Sequence, residues 1–454
     1  MKKIILLTVA SICLLSFSKA KPIAPDSTIF KKVDEYFSLL TGQNRFCGSL
    51  LITRNGKTII SKGYGMANYE YNMPNAPETI FRIGSLSKQF TAMAIIQLED
   101  KGLLSVNDFV SKYIPGYPNG NRITIHQLLC HRSGLPREKT GEESLKFPTT
   151  RKIAEYEQDL ADSLLFEPGT DYFYSNVGYD LLAYIIEIVS GKTIENYTSE
   201  NIFQPLGMKS SGFYDGKTVI KNRAYGYSHD SGNKIISSDN KELNSKGAGG
   251  IYSTVKDLAI WQDRLSEIVS EKGLKKIRTP YTEKGGYGYG IQVTKIDDQL
   301  SFLHTGGLDG YISFMMHLPN DKINVIFLSN FGDIQLVKIA KDIKSILFGK
   351  EYKLPKEVNR KAIKINTDLF TRLCGVYQLD LDKGQLFRIV AEKDKLFMID
   401  NSDEKTELSP ESEFVYFSNP ESEDGVEFVK DKQGKVIYIN LMTMGTKIKA
   451  SKIK

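Results

Sequence analysis

The sequence predicts an α/β domain followed by a small all-β domain. Two observations point to the first. An Asn-Gly hairpin lies near the N-terminus and four strand-like runs crowd together between Tyr287 and Asn330, with long apolar helical stretches between. A third concerns the end of the chain: from Phe370 to Lys454 short apolar runs alternate with Asp, Gly, Asn and Ser turns, and no long helical period appears. At 454 residues the chain is long enough for two or three domains. Its 41% hydrophobic and 25% charged residues are those of a folded protein and carry no signature of disorder.

The first element in order is a leader. Met1–Lys2–Lys3 precedes an apolar run from Ile4 to Phe17 and then Ser18–Lys19–Ala20. This reads as a secretory signal cleaved after Ala20, with a run too short for an ordinary membrane span. Cys13 lies inside it, but the bulky Ile12 before it disfavours lipid attachment there. Cleavage removes Lys2, Lys3 and Lys19, halving the net charge of +6. Such a mild surplus carries no nucleic-acid signal. Cys47, Cys130 and Cys374 remain, an odd and widely spaced set that is no disulfide framework, although one pair is open to bridging.

Next, Gly48–Thr53 and Thr58–Ser61 flank the Asn55–Gly56 turn as a β-hairpin. A helix starts at Ser85, is apolar nearly all round through Leu98, and stops near Gly102; such a helix belongs in a core. Ile123 to Leu135 reads as a short helix closed by Ser133–Gly134. His126 and His131 lack further ligands at zinc spacing, so structural roles are expected for both. After a polar stretch, Pro168–Gly169 makes a turn, Tyr172–Phe173–Tyr174 is short and extended, and a helix follows to about Gly191. Gly247–Gly250 is expected as a tight turn leading to a helix through Trp261. Strands are expected at Tyr287–Val293, Ser301–Gly307, Tyr311–His317 and Ile323–Asn330, then a helix from Ile334 to Leu347. The expected division is therefore a signal at 1–20, a first domain at 26–350, a charged, Pro-containing linker at 351–366 and an all-β domain at 367–454.

The chemistry centres on Ser85 and Lys88. Three residues apart at the start of a helix, their side chains share a face. A serine hydroxyl is a weak nucleophile near neutral pH, and a lysine one turn away can supply a base or an electropositive setting. Ser85 read alone is equally a helix N-cap, and Ser-x-x-Lys recurs at Ser16, Ser231 and Ser253 among others. Two later triplets give the pair a context: Tyr174–Ser175–Asn176 and His304–Thr305–Gly306. A literal Lys139–Thr140–Gly141 precedes the tyrosine and follows no apolar strand, and the Tyr-x-Asn triplets at Tyr117 and Tyr438 sit in a turn and in the C-terminal β region.

In this order the three motifs resemble the serine β-lactamase and penicillin-binding-protein superfamily. Phe81–Ala92, Leu128–Leu135 and Gly249–Thr254 narrow the resemblance to class C β-lactamase-like serine hydrolases, which include D-alanyl-D-alanine carboxypeptidases, D-aminopeptidases and esterases. The resemblance covers about residues 30–350. It implies an antiparallel sheet flanked by helices, with a helical subdomain, and a C-terminal β domain similar to the lipocalin-like appendage of some relatives. It also implies Ser85 as nucleophile, with Lys88 and Tyr174 sharing its proton in a division the motif leaves open. Asn176 would hold a substrate amide and orient the lysine. The backbone N–H groups of Ser85 and Gly307 would form an oxyanion hole, and His304, Thr305 and Gly306 would line the strand along which a peptide-like substrate lies. No metal and no cofactor are implied. Histidine in place of the usual lysine at 304 argues against a strong β-lactamase and leaves peptide, amide and ester substrates open. The expected setting is periplasmic or secreted, with no membrane span once the signal is gone. The expected partner is a small molecule or peptide, a cell-wall peptide among them, with no nucleic acid; the sequence leaves the oligomeric state open. The alternative is a catalytically weak penicillin-binding or cell-wall-sensing protein that keeps the fold.

Overall fold

The computed structural model describes residues 23–137, 149–230, 232–238, 245–283, 285–296, 298–380, 385–401, 405–443 and 445–454. The expected signal, with Cys13, and the Lys139–Thr140–Gly141 triplet lie outside them.

The first domain is built on one six-stranded antiparallel sheet. The hairpin β1 (Gly48–Arg54) and β2 (Lys57–Tyr64) forms one end. The late strands β3 (Gln292–Ile296), β4 (Gln299–Leu308), β5 (Tyr311–Leu318) and β6 (Ile323–Ser329) complete it in the order β3-β4-β5-β6-β1-β2. Strand alternation divides the core. Leu50 and Ile52 of β1 face one apolar cluster, while Leu51 between them faces the other. β6 is buried along its whole length, as a strand with packed layers on both faces should be.

Helices α1 (Asp26–Gly42) and α6 (Leu336–Leu347) cover the first face. α2 (Ser87–Asp100), α4 (Asn176–Ser190) and α5 (Val255–Arg264) cover the second, together with the short α3 (Ile125–Leu129). α1 was not among the expected elements, although Ile29, Val33, Tyr36, Phe37 and Leu40 recur at helical spacing and are all buried. Its Tyr36 hydroxyl donates to Asp342 of α6 at 2.7 Å, tying the two helices together.

Three expectations change. β3 begins at Gln292, not Tyr287, because the run bends at Gly290 (φ +72°) and turns both Tyr287 and Tyr289 into the core. α3 ends at Leu129, well before Ser133–Gly134, for a reason given below. Lys246–Gly249 is a single helical turn before the short strand Ile251–Ser253. Cys47, Cys130 and Cys374 are all free.

Residues 350–366 carry no helix or strand. Beyond them eight antiparallel strands close into a barrel: β7 (Gly375–Leu379), β8 (Leu386–Glu392), β9 (Lys395–Ile399), β10 (Lys405–Pro410), β11 (Val415–Phe417), β12 (Gly425–Lys430), β13 (Val436–Thr443) and β14 (Thr446–Lys452). The barrel has its own core, with Tyr377, Leu396, Tyr416, Phe428 and Ile439 packed inside and Phe370 and Leu373 joining them. Among the described residues no helix is long and apolar enough to cross a membrane.

Candidate active site

Phe81–Arg82 runs extended beside Tyr252–Ser253, and Gly84 then takes φ +51° to swing the chain into a tight helical turn, Gly84–Leu86, that continues as α2. Ser85 sits inside that turn and caps nothing: neither the turn nor α2 has a side-chain cap bond at its N-terminus. Ser85 is partly buried, whereas Lys88, one turn on, is wholly buried.

Lys88 Nζ has three acceptors within reach. Ser85 Oγ lies at 3.1 Å, Asn176 Oδ1 at 2.8 Å and Ala248 O at 2.9 Å. The last two are carbonyl-type oxygens and can only accept, so each fixes one N–H of the lysine. The remaining position on nitrogen faces Ser85. It holds an N–H when the amine is charged and a lone pair when it is neutral, so a neutral Lys88 is already aimed at the serine proton. The ring of Tyr174 is centred 4.8 Å from Nζ and that of Tyr179 5.5 Å, two aromatic faces favourable to a cation.

Tyr174 and Asn176 are placed by the start of α4. Ser175 is its N-cap, accepting from Gly178 N at 3.1 Å and donating from Oγ to Pro136 O at 2.7 Å. Ser175 N donates to His131 Nδ1 at 3.1 Å, and the His131 ring lies 4.3 Å from that of Tyr174. This explains the early end of α3. His131 N bonds back to Leu128 O and Arg132 N to Gln127 O, a helix termination that needs a left-handed residue, and His131 supplies it at φ +57° where glycine is usual. The backbone cost of about 1 kcal/mol is accepted where the imidazole fixes Tyr174 and Ser175. Burial first, then the nearby Lys88 and His304, push the pKa of His131 well down, so it stays neutral.

The third motif lies on β4. β3 pairs with β4 only as far as Leu303, so His304–Leu308 runs past its end and approaches Gly84–Ser85 instead. That approach requires glycine: a Cβ on Gly306 would stand 2.1 Å from Ile83 O and 3.0 Å from Ser85 N. Thr305 and Gly307 are exposed, whereas His304 and Gly306 are buried. His304 Nδ1 lies 2.6 Å from Thr305 O, which can only accept, so Nδ1 carries the proton. Nε2 then accepts from the Tyr287 hydroxyl at 2.8 Å. Burial, reinforced by Lys88, pushes the His304 pKa down to about 3.

These pieces enclose a cleft of about 280 Å³ lined by Ser85, Arg137, Tyr174, Tyr287, Gln292, His304, Thr305 and Gly307. Every residue singled out from the three motifs is brought here: Ser85, Tyr174, His304, Thr305 and Gly307 on the wall, and Lys88, Asn176 and Gly306 just behind it. Four contributors were not foreseen. His131 had only a generic structural role, and Tyr287, Arg137 and Asp180 had none. Asp180 is legible in retrospect as a carboxylate four residues after Asn176, on the same face of an apolar helix. It accepts from Ser245 Oγ at 2.6 Å and Gly247 N at 3.0 Å. Burial raises its pKa to about 6, with these bonds and Lys88 opposing.

Comparison with known proteins shows the family and the fold. The family model described as Beta-lactamase matches residues 32–338. Penicillin-binding protein 4* of Bacillus subtilis is 30% identical over 85% of this chain and 91% of its own length. The structure of the octameric penicillin-binding protein homologue from Pyrococcus abyssi superposes with a TM-score of 0.64 at 26% identity, covering 93% of this chain and 99% of that one. FmtA from Staphylococcus aureus gives 0.62 at 27% identity over 74% of this chain and 91% of its own.

Proposed function

Because the chain belongs to the beta-lactamase family of serine hydrolases, we propose that it is a secreted or periplasmic hydrolase that cleaves a peptide, amide or ester through an acyl-enzyme on Ser85. The observation that carries this reading is the buried Lys88, whose nitrogen touches Ser85 Oγ while Asn176 and Ala248 take its other two positions.

In the first step Ser85 Oγ attacks the substrate carbonyl and its proton passes to Lys88 or, through it, to Tyr174. The backbone N–H groups of Ser85 and Gly307 receive the negative charge that develops on the carbonyl oxygen. Collapse expels the amine or alcohol, which takes up the proton, and leaves an ester on Ser85. Water then repeats the sequence, releasing the acid and restoring the serine. Asn176 keeps Lys88 in register. Thr305 and Gly307 offer the exposed side of β4, past the end of β3, to an extended substrate. His304 acts as a neutral, doubly bonded wall residue, which disfavours β-lactamase action relying on a cation at this position. The leader at residues 1–20 supports export.

Labelling tests the reading. A fluorescent penicillin or a fluorophosphonate should modify the wild-type chain and leave Ser85→Ala unmodified. If neither reagent gives a Ser85-dependent adduct, the hydrolase assignment is wrong.

A further inference from the structure

We propose that Asp180 is a positioning residue for Lys88: it holds the Gly247–Ala248 turn in the place from which the Ala248 carbonyl fixes the lysine against Ser85. This rests on the hydrolase reading above and goes beyond it in assigning a role to a residue outside the three motifs.

Lys88 belongs to α2, and the groups that fix its nitrogen must come from other segments. Asn176 Oδ1, at 2.8 Å, comes directly from α4. Ala248 O, at 2.9 Å, comes from the single helical turn Lys246–Gly249, which is too short to hold itself. The first N–H groups of any helical turn lack partners within it, and Ser245, which precedes this one, makes no side-chain cap. Asp180 supplies the missing acceptor from α4. Its Oδ1 accepts from Gly247 N at 3.0 Å and its Oδ2 from Ser245 Oγ at 2.6 Å, with the Ala248 N–H a further donor to the carboxylate. Asp180 lies four residues after Asn176, so one face of α4 holds the lysine twice, once directly and once through the turn.

The turn is pinned from its other side by α2. Thr91 Oγ1, three residues after Lys88, donates to Gly247 O at 2.7 Å. Gly247 has no room to shift towards α4, because a Cβ there would stand 2.1 Å from Tyr179 O. Asp180, Thr91, Gly247 and Ala248 are all buried. Removing the carboxylate would strand the Gly247 N–H in the interior, a cost that movement of the turn relieves, and the Ala248 carbonyl moves with it.

Fluorophosphonate labelling of Ser85 in the full-length chain, followed against reagent concentration, gives a maximal rate constant and an apparent affinity. Asp180→Leu, close in volume and without an acceptor, should lower the maximal rate about tenfold or more. Its apparent affinity should stay within about twofold, and labelling should still reach completion. Asp180→Asn should remain within about threefold of wild type, because its amide oxygen can accept from Gly247 while its NH2 donates to Ser245 Oγ. In a Lys88→Met background Asp180→Leu should have almost no further effect, since the residue it acts through is gone.

A maximal rate within about twofold of wild type in Asp180→Leu overturns the proposal. So does a loss that persists undiminished in the Lys88→Met background, which would mark a general structural role, or an Asp180→Asn variant as slow as Asp180→Leu. If Asp180→Leu fails to fold, Thr91→Val decides. It releases only the Gly247 carbonyl and should slow labelling about threefold or more, and an unchanged rate overturns the proposal. Normal labelling of wild type with none of these effects removes the Asp180 assignment alone. Absence of any Ser85 adduct in wild type, with fluorophosphonate and penicillin alike, removes the hydrolase reading and this inference together.

Discussion

His304 donates from Nδ1, accepts at Nε2, and has its pKa pushed down to about 3 by burial beside Lys88. An unfolded histidine titrates near 6.5, so between those values the unfolded chain binds the extra proton and stability falls as pH falls. One such group is worth about 1.4 kcal/mol per pH unit inside that window. His131 acts in the same direction. Asp180 opposes them: its folded pKa, about 6, lies above the unfolded value, so its contribution weakens as pH rises from about 4 to 6. Urea midpoints measured from pH 4 to 7 should therefore rise with pH. That rise should be shallower in His304→Gln and, between pH 4 and 6, steeper in Asp180→Asn; the opposite ordering would contradict these assignments. Lys88→Met should lower the rate of Ser85 labelling by about 10²–10⁴-fold, the range typical of a lost general base.

The element that decides the geometry of the cleft is β4 where it outruns β3. It reaches the Gly84–Ser85 turn only because Gly306 has no side chain, and Ser313 Oγ, donating to Ile83 O at 2.7 Å, fills the remaining space. Gly306→Ala should cost about 1–3 kcal/mol of stability through overpacking. It should also abolish Ser85 labelling, because β4 must move away from the serine. Gly307→Ala, whose Cβ would meet nothing closer than Ile312 Cδ1 at 3.6 Å, should leave the melting temperature nearly unchanged. Equal melting temperatures for the two variants would show that the close approach is not fixed. The apolar helix α2 follows the same logic in its first turn, because a buried helix can carry a buried lysine only where acceptors from α4 and the Gly247–Ala248 turn surround it.

Across the whole molecule, the barrel stands apart from the chemistry. Among the described residues, none beyond Gly307 lines the cleft. The barrel instead meets the first domain through polar contacts: Arg45 with Glu423 at 2.8 Å, Gln335 with Asp424 at 2.7 Å, and Asn233 with Glu421. Its apolar core shares no residue with the two cores of the first domain. Calorimetry should then resolve two unfolding transitions, with Arg45→Ala and Gln335→Ala weakening any coupling between them. A single transition insensitive to those changes would mean that the two parts fold as one unit.

The sequence by itself determined which residues would meet. Three short motifs, each on a recognisable helix or strand, are local patterns, and local periodicity and turn chemistry are what a sequence displays. It also determined the late antiparallel strands and the all-β end, because alternation and turn residues act over a few positions; the pattern of α1 was equally present but was not singled out. Only the tertiary structure decided the charges. The neutral state of His304, the left-handed place of His131 beside Tyr174, the buried carboxylate of Asp180 and the place of Arg137 on the cleft wall all depend on neighbours from distant segments. Burial and long-range hydrogen bonding set protonation, and neither is written in the spacing of residues along the chain.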